Sequence, residues 1–285
     1  MVDRRSGEMK LEGVSKSYGE GPLETEVIKD CSATIPAGQL TVMIGPSGCG
    51  KSTLIRLLAG FERPDEGTIT IDGKKVTRPD KDRLVLFQET ALFPWMTTWE
   101  NVMYGPKARG EANREAREHA EFLLEKVGLS QFRDKYPEQL SGGMQRRAEL
   151  ARAMVNHPAI TILDEPFRGL DAMTKELMQE YYSKLYEETR STTLFITTDI
   201  DEAVFLADQI IVMTNIPTQV KQVINVDIQR PRSYVGMITD DRANDIKHQA
   251  MTILHEEAMK AFRSGSKAAA DFVEAYQKRS ETEGS

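Results

Sequence analysis

The sequence predicts an α/β protein built on a mainly parallel sheet, and two observations indicate this fold class. From residue 160 onward, short apolar strand patterns alternate with helical patterns, which is the order that builds a parallel sheet with crossover helices. Near the N-terminus, residues 40–44 are almost continuously apolar, as expected for a strand covered on both faces, and a glycine-rich loop and a helix pattern follow. A chain of 285 residues can form one large domain with a small appendage.

Turn-forming Gly, Pro and Asp residues divide the first ninety residues into short elements. A helix is predicted at 51–58, where no breaker occurs before Gly60. Asp72 and Gly73 are predicted to form a turn between the last two strands of this half. The predicted strands are 9–14, 27–35, 40–44, 67–71 and 84–87.

The second half begins with a helix pattern whose apolar side chains share one stripe among charged residues. The predicted helices are 113–127, 142–156, which Pro158 stops, and 172–189. The predicted strands are 160–163, 193–197, 209–213 and 219–226. Beyond Arg230 the chain becomes charged and helical, and a short helix and a polar tail from Lys278 are predicted after 264–266. One apolar face of this extension is formed by Ile246, Ala250, Ile253, Leu254, Ala258 and Phe262.

Composition excludes several classes of protein. The net charge of -7, without a local cluster of Lys and Arg, argues against nucleic acid as a partner. Two cysteines, Cys31 and Cys49, cannot build a disulfide framework, and a reducing cytoplasm is expected. The N-terminus has no apolar stretch of a secretory signal, and no segment reaches the ~20 apolar residues of a membrane helix. Any membrane role is therefore expected to come through a partner.

Residues 45–52 form a G-x-x-x-x-G-K-S phosphate loop between a buried strand and a helix. Glycines let backbone N–H groups turn toward phosphate oxygens, and the helix N-terminus adds its positive dipole end. Lys51 is expected to reach the β and γ phosphates, Ser52 to ligate Mg²⁺, and Thr53 to contact the α phosphate. A ligand-free turn is the alternative, and the strand-to-helix context disfavours it. The predicted nucleotide contacts here are Gly45, Ser47, Gly48, Cys49, Gly50, Lys51, Ser52 and Thr53.

Two acidic residues end the apolar strand that begins at Ile160. Asp164 is placed to ligate Mg²⁺, and Glu165 beside it can polarise a water for in-line attack on the γ phosphate. Strands that end in two acidic residues are common, so the assignment of this pair to the nucleotide site depends on the presence of the phosphate loop. ATP and Mg²⁺ are therefore the predicted substrate and cofactor.

The segment Leu-Ser-Gly-Gly-Met-Gln at 140–145 resembles the signature motif of ABC ATPases. The resemblance implies a P-loop NTPase core of ABC ATPase type, in which a parallel sheet with helices carries an antiparallel β subdomain and a helical subdomain. It also implies that Ser141, Gly142 and Gly143 contact the γ phosphate held by a second subunit, in a head-to-tail dimer. Placement of Ser141 at a helix N-terminus agrees with anion binding.

Further matches follow the family order. Tyr18 lies where an aromatic ring stacks on adenine, although simple packing is the commoner role of such a residue. Gln88 resembles the glutamine that touches Mg²⁺ and the attacking water, and residues 169–171 resemble the loop that crosses the dimer. Residues 195–203 resemble the switch segment, with Thr198 at the position where the family has a histidine that bonds the γ phosphate.

Residues 91–102 are rich in large apolar side chains and are predicted to form a loop. In ABC transporters this region accepts a coupling helix of the permease, and helix-in-groove recognition uses such anchors. We expect some of the side chains of Phe93, Trp95 and Trp99 to be buried in the core and the others to face this groove, and the sequence does not assign them individually. The chain lacks the coiled-coil insertion of DNA-repair relatives and the second cassette of translation factors.

The sequence looks most like ATPase subunits of importers for nitrate, sulfonate and taurine. The resemblance implies a separate transmembrane permease, a second ATPase subunit, a solute-binding protein, and a peripheral location at the cytoplasmic face of the cell membrane. The expected division is an ABC ATPase domain at 1–229, with its helical subdomain at about 90–158, and a helical extension at 230–285. A soluble ABC protein without a permease is an alternative.

Several positions depart from the family pattern. Arg168 and Gly169 replace Gly-Ala, Arg146 stands where Gln is common, and Glu149 where a small apolar residue is usual. Thr198 is the most consequential, because a short uncharged hydroxyl should reach the phosphate poorly and misplace the attacking water. We therefore expect slow hydrolysis at this chain's own site, with a degenerate subunit in a heterodimer as an alternative to an active motor.

Overall fold

The computed structural model describes residues 7–265 and arranges their strands in two sheets. The smaller sheet has four strands in the order β2-β1-β4-β5, and its strand pairs are antiparallel. Its strands are β1 (Met9–Tyr18), β2 (Thr25–Ile35), β4 (Glu66–Ile71) and β5 (Lys74–Lys75). Buried apolar residues of this sheet pack with those of the first helix in one core cluster.

The larger sheet has six strands in the order β10-β9-β3-β8-β7-β6. All of its neighbouring strands run parallel except β10, which pairs antiparallel with β9. Its strands are β3 (Leu40–Ile44), β6 (Arg83–Leu86), β7 (Ile160–Asp164), β8 (Thr192–Thr197), β9 (Gln209–Met213) and β10 (Val220–Asn225). Every residue of β3, β8 and β9 is buried, which explains why these strands are apolar without alternation.

Helices cover the larger sheet and build a separate helical part. They are α1 (Lys51–Ala59), α2 (Thr98–Ala108), α3 (Arg114–Lys126), α4 (Gly142–Met154), α5 (Ala172–Thr189), α6 (Ile200–Leu206), α7 (Tyr234–Ile238) and α8 (Asp241–Gly265). Helices α2, α3 and α4 share a core of their own, which includes Val102, Leu123 and Ala148. No helix within residues 7–265 combines the length and apolar character needed to cross a membrane.

Helix α8 belongs to the same core cluster as the larger sheet. Ile246, Ala250 and Ile253 of α8 are buried together with Val212 of β9 and Ile224 of β10. Ala258 and Phe262 were predicted on the same apolar face, but both are exposed, Phe262 by 52%. The division of the chain at residues 229 and 230 stays a prediction.

The prediction of a loop over residues 91–102 is wrong from Thr98 onward. Helix α2 begins there, and Thr97 caps it in a reciprocal box in which Thr97 Oγ1 accepts from Glu100 N at 3.2 Å and Glu100 Oε2 accepts from Thr97 N at 2.9 Å. The Thr-x-x-Glu pattern was the signal for this helix. The large apolar residues around it favoured a different interpretation.

The other differences are smaller. The turn at Asp72 and Gly73 leads to the two-residue strand β5, which pairs with β4, whereas β6 lies in the other sheet. Helix α6 was not predicted, because it is too short to show a helical period, whereas α7 lies within the region beyond Arg230 that was predicted to be helical. The short helix and polar tail predicted after 264–266 lie outside the described residues.

Candidate functional site

The predicted phosphate-site residues gather at one edge of the larger sheet. Strands β3, β6, β7 and β8 are parallel, so their carboxyl ends meet at the same edge. The phosphate loop follows β3, Gln88 lies two residues beyond β6, Glu165 follows β7, and Thr198 follows β8. In open α/β sheets, ligands bind beyond the carboxyl ends of the strands, at the topological switch point where the strand order reverses.

The phosphate loop is held in its shape by backbone conformation and packing. Gly48 and Gly50 have φ of 79° and 91°, which side chains rarely allow. A Cβ on Gly50 would also lie 2.9 Å from Thr218 Oγ1 and 3.0 Å from a methyl group of Val27. Thr218 donates a hydrogen bond to the carbonyl of Cys49 from the buried side of the loop. Burial raises the pKa of the Cys49 thiol, so this residue stays neutral beneath the loop.

Lys51 folds back across the phosphate loop. Its Nζ donates to the carbonyl oxygens of Gly45 at 2.9 Å and Pro46 at 2.8 Å. These contacts hold the ammonium group over the loop. The hydroxyl-bearing Ser52 is exposed and Thr53 is half-buried at the start of α1, where N–H groups of a helix N-terminus favour an anion.

Asp164 and Glu165 stand side by side at the end of β7. Burial, with the neighbouring Glu165 charge, raises the pKa of Asp164, while Lys51 and Arg146 oppose the shift. Glu165 has φ of 42°, a left-handed conformation that is uncommon for a non-glycine residue. Its N–H donates to the carbonyl of Ile196 in β8 at 2.8 Å. This hydrogen bond fixes the turn that follows Asp164.

A pocket of about 400 Å³ lies between the phosphate loop and the start of α6. Glu165 and Thr198 both line it, together with Gly45 and Ser47 of the loop. The described residues that line it include no histidine, whereas His119 and His157 stack on each other in the helical part, with ring centroids 4.3 Å apart. Thr198 thus lies in this pocket, and no histidine is among the described residues that line it.

Arg168 pairs directly with Glu165. Its Nη1 lies 2.8 Å from Glu165 Oε2 and 3.4 Å from Gln88 Oε1. The arginine also lines the pocket, with 61% of its side chain exposed. In the sequence, Arg168 is visible only as a departure near the cross-dimer loop, and no local pattern places it beside the predicted base.

A buried ion pair connects Gln88 to the turn after Glu165. Arg146 of α4 donates to the carbonyl oxygens of Phe87 at 2.9 Å, Gln88 at 2.8 Å and Pro166 at 2.6 Å. Its Nη1 also lies 2.7 Å from Glu149 Oε2, and each of the two side chains is only 4% exposed. The two departures from the family pattern, at 146 and 149, therefore compensate each other and position both loops.

In the Arg146→Gln variant, the free energy of unfolding is expected to fall by about 3–5 kcal/mol, because the buried Glu149 carboxylate loses its main partner. The double variant Arg146→Gln/Glu149→Ala should lose less stability than the single variant. Urea unfolding, followed by the fluorescence of the two tryptophans, measures both. Arg114→Gln is the control, since that arginine is 92% exposed in a helical pair with Glu118. Equal effects of the Arg146 and Arg114 substitutions would contradict this account.

The signature segment lies on a different element. Ser141 caps α4, its hydroxyl accepts from Met144 N at 3.3 Å, and Ser141 and Gly142 are exposed. A Cβ on Gly143 would lie 3.3 Å from Thr174 near the start of α5. Ser141, Gly142 and Gly143 are not among the residues that line the pocket beside the phosphate loop.

Tyr18 and the aromatic segment are the remaining predicted positions. The Tyr18 ring is 37% exposed, and its hydroxyl hydrogen-bonds to Glu62. Trp95 is 69% exposed, whereas Trp99 is half-buried against the helical core and beneath the guanidinium of Arg133. Phe93 lies between Trp95 and Tyr104, with ring centroids 5.6 and 4.6 Å away. Phe93, Trp95 and Tyr104 thus form an aromatic surface patch with Trp95 outermost, whereas Trp99 belongs to the helical core.

Comparison with known proteins agrees with this arrangement. The family model described as ABC transporter matches residues 28–168. The chain is 40% identical over 252 residues to the bicarbonate transport ATP-binding protein CmpD of Synechococcus elongatus, covering 86% of this chain and 89% of that protein. It is 38% identical over 253 residues to the nitrate import ATP-binding protein NrtD of Synechococcus elongatus, covering 88% and 92%.

A solved structure has the same fold. It is a dimeric, post-hydrolysis state of the ATP-binding cassette MJ0796 bound to ADP and Pi, with 31% identity and a TM-score of 0.65 over 78% of this chain and 100% of that one. The phosphate loop, the paired acids at the end of β7 and these similarities lead to one conclusion. The chain belongs to the ABC transporter ATP-binding family and is an ATPase of that family.

Proposed function

We propose that this ATPase drives a separate transmembrane permease that takes up a small solute such as nitrate, a sulfonate or taurine. The observation that carries the proposal is the exposed aromatic patch around Trp95, on the same chain as the pocket beside the phosphate loop. Relatives named for nitrate and bicarbonate transport support a small oxyanion as the solute. The protein would then act as a peripheral subunit at the cytoplasmic face of the membrane, with a solute-binding protein in the same system.

The site residues divide the work of ATP hydrolysis among them. The N–H groups of residues 45–53 and the ammonium of Lys51 bind the phosphates, and Tyr18 stacks on the adenine. Glu165 accepts a proton from the attacking water while the bond between the γ phosphorus and the bridging oxygen breaks. Gln88 orients that water.

Mg²⁺ fits the oxygen donors that meet at this edge. Ser52, Gln88 and Asp164 offer hydroxyl, amide and carboxylate oxygens, which are the ligands this ion prefers. Burial and the neighbouring Glu165 charge raise the pKa of Asp164, and a bound cation would favour its charged form. When bound, the ion neutralises charge on the phosphates. Within residues 7–265, no group of three or more His, Cys, Asp or Glu side chains offers another metal site.

A head-to-tail dimer would bring Ser141, Gly142 and Gly143 to the nucleotide of the second subunit. Ser141 is exposed at the N-terminus of α4 and lies outside this chain's own pocket, which supports that role. The helix is 13 residues long, so its dipole can favour a phosphate.

Mixing two inactive variants is expected to restore ATPase activity if the sites are shared between subunits. A Ser141→Arg chain and a Lys51→Ala chain each form dimers with two damaged sites, whereas their mixed dimer has one intact site and one site with both defects. The measurement is steady-state ATPase before and after the two variants exchange subunits. A mixture no more active than its separate components would contradict the head-to-tail arrangement.

The permease assignment is tested by purification from membranes of the source cells. We expect the tagged full-length chain to recover a hydrophobic membrane protein, and Trp95→Ala to reduce that recovery without lowering ATPase activity. Phe132→Ala is the control, since that ring is exposed elsewhere on the helical part. Recovery of soluble proteins alone would favour an ABC protein without a permease.

Thr198 favours a second candidate, a slow ATPase subunit that works in a heterodimer. Thr198 lines the pocket at the position where the family has the longer imidazole side chain of a histidine, while the signature segment at 140–145 is intact. Such a chain would hold ATP firmly and complete a competent partner's site. Recovery of a different ABC ATPase with the permease would support this candidate.

A further inference from the structure

We propose that Arg168 turns from Glu165 to bind the terminal phosphate of ATP in this chain's own site. Glu165 is thereby released to act as the base. The inference deepens the proposed roles of the pocket and of Glu165, on which it rests. It assigns a catalytic residue at a position that sequence reasoning left as a mere departure.

Two cations line the pocket, Arg168 and Lys175, facing the phosphate loop. Lys175 is already engaged, because its Nζ lies 2.7 Å from Asp199 Oδ2 and the pair is partly buried. Asp199 in turn caps α6, accepting from Glu202 N at 3.1 Å. Moving Lys175 to a ligand would leave this capping carboxylate without its cation.

Arg168 is the more exposed of the two cations, with 61% of its side chain exposed against 26% for Lys175. Its guanidinium has one ion pair, with Glu165, and one longer hydrogen bond, with Gln88. The guanidinium is the exposed member of this pair, at 61% against 12% for Glu165, so it can turn toward another anion while the Glu165 carboxylate stays in place. Gly169, with φ of 80°, adds backbone freedom beside it. A terminal phosphate offers more negative charge than a carboxylate and suits the fork of a guanidinium.

The contacts of Arg168 mark where the reaction would occur. It lies between Glu165 and Gln88, the two residues proposed to hold the attacking water, and lines the same pocket as Ser47 of the phosphate loop. While it pairs with Glu165, one carboxylate oxygen is occupied. When Arg168 turns to the phosphate, that oxygen becomes free to take the proton of the water, whose oxygen bonds to phosphorus as the bridging P–O bond breaks.

Thr198 lines the same pocket and follows β8, the strand next to β7. It is exposed and uncharged, so it leaves the terminal phosphate without a cationic partner on the β8 side. Arg168 would supply that partner from the β7 side. The two departures from the family pattern, at 168 and 198, would thus be one exchange of a phosphate-binding group.

Binding measurements with the full-length chain test the contact without relying on turnover. Arg168→Gln is expected to weaken a non-hydrolysable ATP analogue with Mg²⁺ about 10-fold or more, the usual effect of losing a charged hydrogen bond. ADP, which lacks the terminal phosphate, should bind as it does to the unaltered chain. Arg168→Lys should retain part of the affinity, and Arg114→Gln serves as the exposed-arginine control. Equal weakening of ADP and the analogue, or no weakening of either, would overturn the proposal.

Turnover gives an independent result. Arg168→Gln should lower the rate of hydrolysis about 100-fold, as loss of a group that stabilises the transition state does. Thr198→His should recover much of that loss in the Arg168→Gln chain and change the unaltered chain little, whereas the slow-subunit candidate expects Thr198→His to raise turnover in the unaltered chain. A faster Arg168→Gln enzyme would show that the arginine only restrains Glu165, and would reject the inference. Because Lys51→Ala tests the phosphate site separately, failure here leaves the proposed function standing.

Discussion

Glu165→Gln is expected to lower the rate of ATP hydrolysis by about 10²- to 10⁴-fold while ATP still binds. The substitution keeps the size and one oxygen of the side chain but removes the carboxylate that would accept the proton. It also removes the ion pair with Arg168, whose Nη1 is 2.8 Å from Glu165 Oε2. With Arg168 free and no base present, the variant should hold ATP and its dimer in the closed state.

Single-turnover hydrolysis and nucleotide binding, measured on the same sample, separate chemistry from affinity. Size-exclusion chromatography with Mg·ATP reports the trapped dimer. Glu202→Gln is a matched comparison, because this carboxylate lines the same pocket but is buried and hydrogen-bonded to Gln179 at 2.6 Å. Its effect on turnover should be much smaller. Normal turnover of the Glu165→Gln chain would rule out Glu165 as the base.

Lys51→Ala is expected to reduce ATP hydrolysis by about 10²- to 10³-fold and to weaken ATP binding as well. In the structure, Lys51 bonds to the carbonyl oxygens of Gly45 and Pro46, so the ammonium already lies against the phosphate loop. Its removal takes away the positive charge that contacts the phosphates and also the two hydrogen bonds that Lys51 makes to the loop. Asp164→Asn should abolish productive Mg·ATP use by a different route, the loss of the metal carboxylate.

Calorimetric titration with Mg·ATP and with ATP in a chelator distinguishes these two variants. Lys51→Ala should weaken both, whereas Asp164→Asn should mainly remove the benefit of the metal. Arg56→Ala, on the exposed side of the same helix α1, is the control for changes in that helix. Thermal unfolding of each variant checks that the fold is retained. Unchanged affinity and turnover in both site variants would refute the phosphate site.

Local sequence determined the elements that carry the chemistry. The glycine-rich loop after a buried strand, the two acids that end another strand and the Ser-Gly-Gly helix start all rest on short-range rules of backbone geometry and capping. The structure has β3, α1, β7 and α4 where these rules place them. The same rules would have found α2 from Thr97 and Glu100, but large apolar side chains around them suggested a loop.

Only the tertiary structure decided how distant residues meet. The sequence shows that Arg168 and Arg146 are unusual, but not that one lies 2.8 Å from Glu165 or that the other joins the carbonyls of Gln88 and Pro166. It also did not show that Leu254 and Ala258 of α8 line the pocket. Such contacts depend on strand order, crossover connections and side-chain packing, which bring together residues far apart in the chain. No local pattern encodes those distances, so the partners of each charge emerge only once the sheet is assembled.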